Sequence, residues 1–132
     1  MSNGIAQDLA TELLSVEETL SRHWGGFVLF ALLMREDSPD KWDLVVSAAW
    51  AGRYDRREII ERIANALRTR APRIDLAAIS RIVILDPSDP FVKTVTRNVK
   101  VEHGRFECQL CWFNGFFIRH GLIVTSVKPP GT

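Results

Sequence analysis

The feature that most constrains the fold of this chain is Asn114-Gly115, which separates two apolar segments, residues 105–113 and 116–125. Both residues of an Asn-Gly pair tolerate the positive φ angles of a type I′ turn, and this turn matches the twist of two antiparallel strands. The pattern therefore predicts a β-hairpin whose tight turn consists of these two residues.

Alternation along the two predicted strands assigns their side chains to the two faces of the hairpin. One face receives Phe106, Cys108, Leu110, Trp112, Phe117 and Ile123. The other face is polar on the first strand and apolar on the second, which indicates partial cover by a helix or by another subunit. We expect a subunit interface on this second face, formed by Phe113, Phe116, Ile118, His120 and Leu122.

The chain before this hairpin alternates between helical and strand patterns. Apolar residues recur every three or four positions in residues 5–23 and 55–70, which is typical of amphipathic helices. Two apolar runs, residues 27–35 and 41–50, are joined by a short polar link and predict another hairpin. Residues 79–85 form a predicted strand and residues 91–98 a short helix. The order α-β-β-α-β-α-β-β predicts an α+β fold, a single layer of about five mostly antiparallel strands with two to three helices on one face.

Length and charge set the broad class of the protein. The 132 residues predict one domain spanning 1–132, with residues 1–4 and 128–132 as frayed tails. The net charge of +1 gives no bulk attraction to nucleic acid or to an anionic membrane. The longest apolar run, residues 27–34, is far shorter than the ~20 residues that cross a bilayer. We therefore expect a cytoplasmic protein that does not bind a membrane. The charge balance disfavours nucleic acid as a partner but leaves room for a local basic patch.

Cys108 and Cys111 have the spacing of a redox or metal-binding pair. In a strand, residues three positions apart point to opposite faces, so we expect the two thiols to be separated by the sheet. The chain has no second pair of this kind and only three histidines. We therefore predict no metal site, no cofactor and no catalytic residue.

Two carboxylates are the candidates for a ligand site. Asp43 lies near the start of the second predicted strand, and Asp86 follows the third. If these strand ends adjoin, the two carboxylates meet in one cleft, an arrangement that suits a ligand or a divalent cation. The hypothesis depends on the relative direction of the two strands.

The same stretch carries one resemblance to a known family. Phe30-Ala31 followed by residues 38–46, Ser-Pro-Asp-Lys-Trp-Asp-Leu-Val-Val, resembles the Gly-Ser and Asp-x-Asp strand of the nucleotidyltransferases. Ala31-Leu32 stands in place of Gly-Ser, and Lys41 stands in place of the first metal-binding aspartate, which leaves Asp43. The resemblance implies a degenerate domain of that fold that binds a nucleotide.

An arginine-rich stretch supplies a further hypothesis. Arg53, Arg56 and Arg57 begin it and form a predicted anion surface, although Glu58 and Glu61 are interleaved with the arginines and favour a solvated helix face. Three functions therefore stay open. The first is a non-catalytic binding or interaction domain that forms a homodimer and has room for a small-molecule ligand. The second is the degenerate nucleotidyltransferase, and the third is a nucleic-acid-binding protein that uses the arginine-rich helix.

Overall fold

A computed structural model of the chain describes residues 7–37, 41–74 and 78–129. Within these residues the helices are α1 (Gln7–Trp24), α2 (Arg56–Arg70) and α3 (Pro90–Asn98), and a short 3-10 helix covers Ala49–Arg53. The strands are β1 (Leu29–Arg35), β2 (Trp42–Ser47), β3 (Ile79–Leu85), β4 (Phe106–Phe113) and β5 (Phe116–Ser126). Residues 1–4 and 130–132, which belong to the predicted tails, lie outside the described residues.

The five strands form one mixed sheet with the order β3-β2-β1-β5-β4. β1 pairs antiparallel with both β2 and β5, and β5 pairs antiparallel with β4. β2 and β3 are parallel, because the chain returns through α2 to the same end of the sheet before β3 begins. The predicted α+β fold with one mostly antiparallel sheet is confirmed.

Helices lie on both faces of this sheet. α1 and α2 share a hydrophobic cluster with side chains of one face, among them Leu32 and Leu44. α3 packs on the opposite face, where Leu33 and Val45 belong to a second cluster. Adjacent residues of one strand point to opposite faces, so β1 and β2 contribute to both clusters. Two helices therefore cover one face, as predicted, and α3 covers part of the other.

The hairpin predicted from Asn114-Gly115 is present. β4 ends at Phe113 and β5 begins at Phe116, and the two turn residues have φ angles of 51° and 83°. Positive φ at both positions is what a type I′ turn requires, and it explains why the chain reverses there.

The face assignment along this hairpin is partly wrong, because the alternation breaks at Leu110. Leu110 has a φ of 55°, and neither it nor Arg119 opposite belongs to the ladder of paired residues. Each strand thus carries one unpaired residue, and the two lie opposite each other. The residues beyond them keep the same partners, but their side chains point to the other face of the sheet. Cys111 and Phe113 consequently share a cluster with Cys108 on the α3 side of the sheet.

No helix of the described residues has both the length and the apolar character needed to cross a bilayer.

Candidate functional site

Asp43 is a nearly buried carboxylate on the α3 side of the sheet, with 5 % of its surface exposed. Its Oδ2 atom lies 3.0 Å from Nε of Arg35 and 3.3 Å from Nε of Arg81. The Arg35 Nε–H does not point along this line, so that contact is an ion pair rather than a hydrogen bond. Pairing with two guanidinium groups compensates the buried charge.

Strand register explains how these three residues meet. Asp43 of β2 is level with Leu33 of β1 on one side and with Arg81 of β3 on the other. Arg35 follows Leu33 by two residues on β1 and therefore faces the same side of the sheet. A cation at Asp43 would have to displace both arginines, so the geometry argues against a metal ion there.

Asp86 lies at the other end of the sheet. It follows β3, is exposed, and accepts hydrogen bonds from the Ser88 backbone N–H (2.8 Å) and from Ser88 Oγ (2.6 Å). These bonds hold the pKa of Asp86 below its usual value. Asp43 is level with Arg81, five residues before Asp86, which corresponds to roughly 16 Å along a strand. The structure therefore separates the two carboxylates, because β2 and β3 are parallel.

A groove runs along the sheet beside α3 and ends at Asp43, Arg35 and Arg81. Its cavity volume is about 200 Å³. Its surface is mainly apolar, and its side chains include Leu33, Val45, Val83, Leu85, Phe91 and Phe116. Asp89 caps α3 by accepting a hydrogen bond from the Phe91 N–H (2.8 Å), which positions Phe91 as a wall. We call this site the arginine groove, after Arg35 and Arg81.

The predicted subunit interface is largely part of the protein's own interior. Phe113 and Ile118 are buried in the α3-side cluster, and Leu122 is buried in the cluster under α1 and α2. The His120 ring, which is partly buried, lies 5.6 Å from that of Trp42, so Phe116 is the one predicted interface residue with an exposed side chain. The correction follows from the break at Leu110, and also from helices on both faces of β5.

The exposed apolar side chains of the hairpin are mostly different ones. The large hydrophobic residues with exposed side chains in this region are Phe106, Leu110, Trp112 and Phe116. Trp112 and Leu110 are the most exposed, at 66 % and 65 %. We call these four residues the hairpin edge, because Phe106, Leu110 and Trp112 lie on β4, an edge strand of the sheet, and Phe116 follows the turn at its end.

The two cysteines lie on the same side of the sheet, contrary to the prediction. Cys108 is buried, and Cys111 packs against the same hydrophobic cluster. Burial and the neighbouring Cys111 thiol raise the pKa of Cys108 to about 12, so the thiol is protonated at neutral pH and is a poor nucleophile. Both cysteines are free.

The arginines predicted as an anion surface do not form a shared pocket. Arg53, Arg56 and Arg57 are exposed around the start of α2, and Arg56 Nη1 donates a hydrogen bond to the Ile84 carbonyl (3.2 Å). Basic side chains do converge elsewhere, at a cavity of about 420 Å³ beside α3 lined by Lys93, Arg97, Lys100 and Lys128. Its described lining contains no aromatic side chain on which a base could stack, which disfavours recognition of single-stranded nucleic acid there.

No pattern in the sequence predicts the buried network around Glu17. Glu17 on α1 is fully buried and lies 2.8 Å from His103 Nδ1. It also accepts hydrogen bonds from Thr125 Oγ1 (2.8 Å) and Ser21 Oγ (3.3 Å). Glu17 and His103 are 86 residues apart, so no local pattern announces the pair. The network ties α1 to the loop before β4 and to the end of β5.

The Glu17 contact predicts a pH dependence of stability. The hydrogen bond from His103 to Glu17 raises the pKa of His103 above its usual value of 6.5, against a smaller opposing effect of partial burial. A raised pKa in the folded state means that the stabilisation is complete below about pH 6.5 and is lost as the pH rises through the folded-state pKa. We expect the urea concentration at the midpoint of unfolding to decrease as the pH is raised from about 6 to about 9.

The His103→Gln variant is the control for this pH dependence. Glutamine keeps a hydrogen-bond donor near Glu17 but does not titrate, so the difference between the two proteins isolates the imidazole. Equal pH dependence in both proteins would show that His103 does not contribute.

These features define an α+β protein with a five-stranded mixed sheet and an arginine-lined groove on one face. Within the described residues, no three His, Cys, Asp or Glu side chains lie together as a metal site would require. No protein family, curated protein or solved structure matches the chain. The resemblance to nucleotidyltransferases therefore stays a prediction.

Proposed function

We propose that the chain is a non-catalytic binding domain that forms a homodimer through the hairpin edge. The observation that carries this proposal is the exposure of large apolar side chains along an edge strand. Trp112 and Leu110 each leave about two thirds of their surface in solvent. Exposed apolar surface of this kind, concentrated in one place, marks an interaction site.

The chemistry of β4 supports pairing with a second copy. Among the described strands, β4 has β5 as its one neighbour, so its outer edge is open. Natural edge strands are protected by charged side chains, proline or bulges. β4 has no lysine or proline and a single charge, Glu107, so the break at Leu110 is its main protection. The positive φ of Leu110 interrupts the strand, so we expect two short paired stretches around a symmetry axis.

The side chains of the hairpin edge favour pairing at the edge over packing of one face. Trp112 pairs with Phe117, whose ring centroid lies 4.8 Å from its own, whereas Phe116 contacts Phe91 on the α3 side (5.7 Å). Apolar groups are thus exposed on both faces of the same edge. A second β4 placed alongside would cover both sets at once.

The proposed location is the cytoplasm. Cys108 and Cys111 are both free, although their thiols lie near each other. Free neighbouring thiols are typical of a reducing compartment, because an oxidising one favours disulfide formation.

The dimer is tested by sedimentation velocity and light scattering across micromolar concentrations. We expect a concentration-dependent dimer in the wild type and a loss of about tenfold or more in dimer affinity for Trp112→Ser, since tryptophans at the centre of interfaces contribute strongly. Tyr54→Ser is the matched control. Tyr54 is also an exposed aromatic residue, at 41 %, but it lies beyond the 3-10 helix, away from the hairpin edge.

Two results would contradict the proposal. One is a wild-type protein that stays monomeric at all these concentrations. The other is a dimer that Trp112→Ser and Tyr54→Ser weaken equally, since that would place the contact elsewhere.

A further inference from the structure

We propose that the arginine groove binds a small amphipathic monocarboxylate. The carboxylate would lie against the guanidinium groups of Arg35 and Arg81, and the apolar part would lie on the sheet beside α3. This site shares Phe116 with the hairpin edge, but its two arginines and its floor lie outside that edge, so the proposal does not depend on the homodimer.

Charge at one end of the groove supports an anionic head group. Arg35 and Arg81 both approach the same oxygen of Asp43 through Nε, so the buried carboxylate holds two guanidinium groups with one negative charge. In the described part of the chain, the Arg81 side chain makes no other polar contact, and 54 % of it is exposed. Its terminal Nη groups are the donors that recognise a carboxylate in a two-pronged manner.

Other acidic groups do not cancel this charge at the binding end. Arg35 Nη1 donates a hydrogen bond to Asp37 Oδ2 (3.4 Å), but the Asp37 side chain is mostly in solvent, where its charge is screened. Asp89 also lines the groove, but it uses its carboxylate to cap α3 at Phe91 N–H. A cationic ligand would meet two arginines first, so an anion is favoured.

The remaining surface of the groove supports an apolar body on the ligand. Leu33, Val45 and Val83 come from three adjacent strands and form a continuous floor. Phe91 and Phe116, whose ring centroids are 5.7 Å apart, stand at its side. The cavity of about 200 Å³ lies below the range of about 300–1,000 Å³ typical of drug-sized ligands. The ligand is therefore small.

Octanoate is the probe for this site, with 1-octanol and octylamine as the neutral and cationic counterparts. In a two-dimensional NMR titration we expect octanoate to shift the arginine Nε–H signals of Arg35 and Arg81 and the methyl signals of the groove floor. Saturation is expected at about millimolar concentration or below for a ligand with about ten heavy atoms. The neutral and cationic probes should bind about tenfold more weakly.

Substitutions of single arginines distinguish octanoate binding in the groove from general attraction of octanoate to basic surface. We expect Arg81→Gln to weaken octanoate binding about tenfold or more, and Arg35→Gln to act in the same direction. Arg97→Gln removes the same charge from the basic cavity beside α3 and should leave octanoate affinity unchanged. Because the Arg81 side chain is more than half exposed, the Arg81→Gln protein is expected to fold.

Several outcomes would overturn the proposal. The first is the absence of saturable shifts with octanoate, and the second is equal binding of 1-octanol. The third is an equal loss of affinity in Arg81→Gln and Arg97→Gln. The fourth is a change in the NMR signals of the groove residues on dilution of the protein but not on addition of octanoate. That result would mean that a second copy of the chain, and not a carboxylate, occupies the groove. Octanoate binding that persists in a monomeric Trp112→Ser variant would support the groove independently of the dimer.

Discussion

Replacing Glu17 with alanine is expected to lower the free energy of unfolding by about 3 kcal/mol. The carboxylate is fully buried and accepts hydrogen bonds from Thr125 and Ser21 while it pairs with His103. Without it the buried Thr125 hydroxyl loses its acceptor, and an unsatisfied buried hydroxyl costs about 1–3 kcal/mol. The cavity left by the shortened side chain adds to this loss.

The measurement is urea denaturation of the wild type and the variants at fixed pH. Glu18→Ala is the matched control, because Glu18 is the next residue of α1 and is only partly buried. Glu17→Gln retains an oxygen that can accept from Thr125 but removes the charge, and we expect it to remove the His103-dependent pH profile. A Glu17→Ala protein as stable as Glu18→Ala would contradict the structural role of the network.

Replacing Asp43 with alanine is expected to cost about 2 kcal/mol of stability. The variant leaves Arg35 and Arg81 side by side without the carboxylate that both contact. Breaking a fully buried ion pair costs about 3–5 kcal/mol. The lower figure applies here because both arginine side chains are partly exposed and can turn toward water.

Asp86→Ala is the control for Asp43→Ala. Asp86 is also an aspartate at a strand end, but it is exposed and its hydrogen bonds go to the nearby Ser88. We expect a clearly smaller effect on the urea midpoint than that of Asp43→Ala. Equal effects of the two substitutions would mean that the Arg35–Asp43–Arg81 contacts contribute little to the fold.

Local patterns in the sequence were sufficient for the elements and the hairpin turn. The helical periodicity of residues 55–70 can be predicted because it depends on residues close together in the chain. The same is true of the turn at Asn114-Gly115. Pro90 after Ser88-Asp89 likewise predicts the start of α3, with either Ser88 or Asp89 as its cap, and in the structure Asp89 is the cap. The number of strands and their order along the chain follow from the same signals, whereas their order within the sheet does not.

The candidate site could be predicted only in part. Asp43 was recognised as a candidate, but its partners Arg35 and Arg81 come from two other strands and meet it through strand register. Most residues of the predicted subunit interface are buried in the protein's own interior, among them Phe113, Ile118 and Leu122. A leucine with a φ of 55° changes the facing of Cys111 and Phe113, and no sequence pattern predicts positive φ at leucine.

The Asn114-Gly115 turn and the order of helices and strands were determined by the sequence alone, because they arise from contacts between near neighbours. Tertiary structure decided the rest. The parallel direction of β2 and β3 separates Asp43 from Asp86, and the packing of α1 against the end of β5 brings Glu17 to His103 and Thr125. These contacts join residues far apart in the chain, and their geometry depends on how whole elements pack rather than on any local spacing.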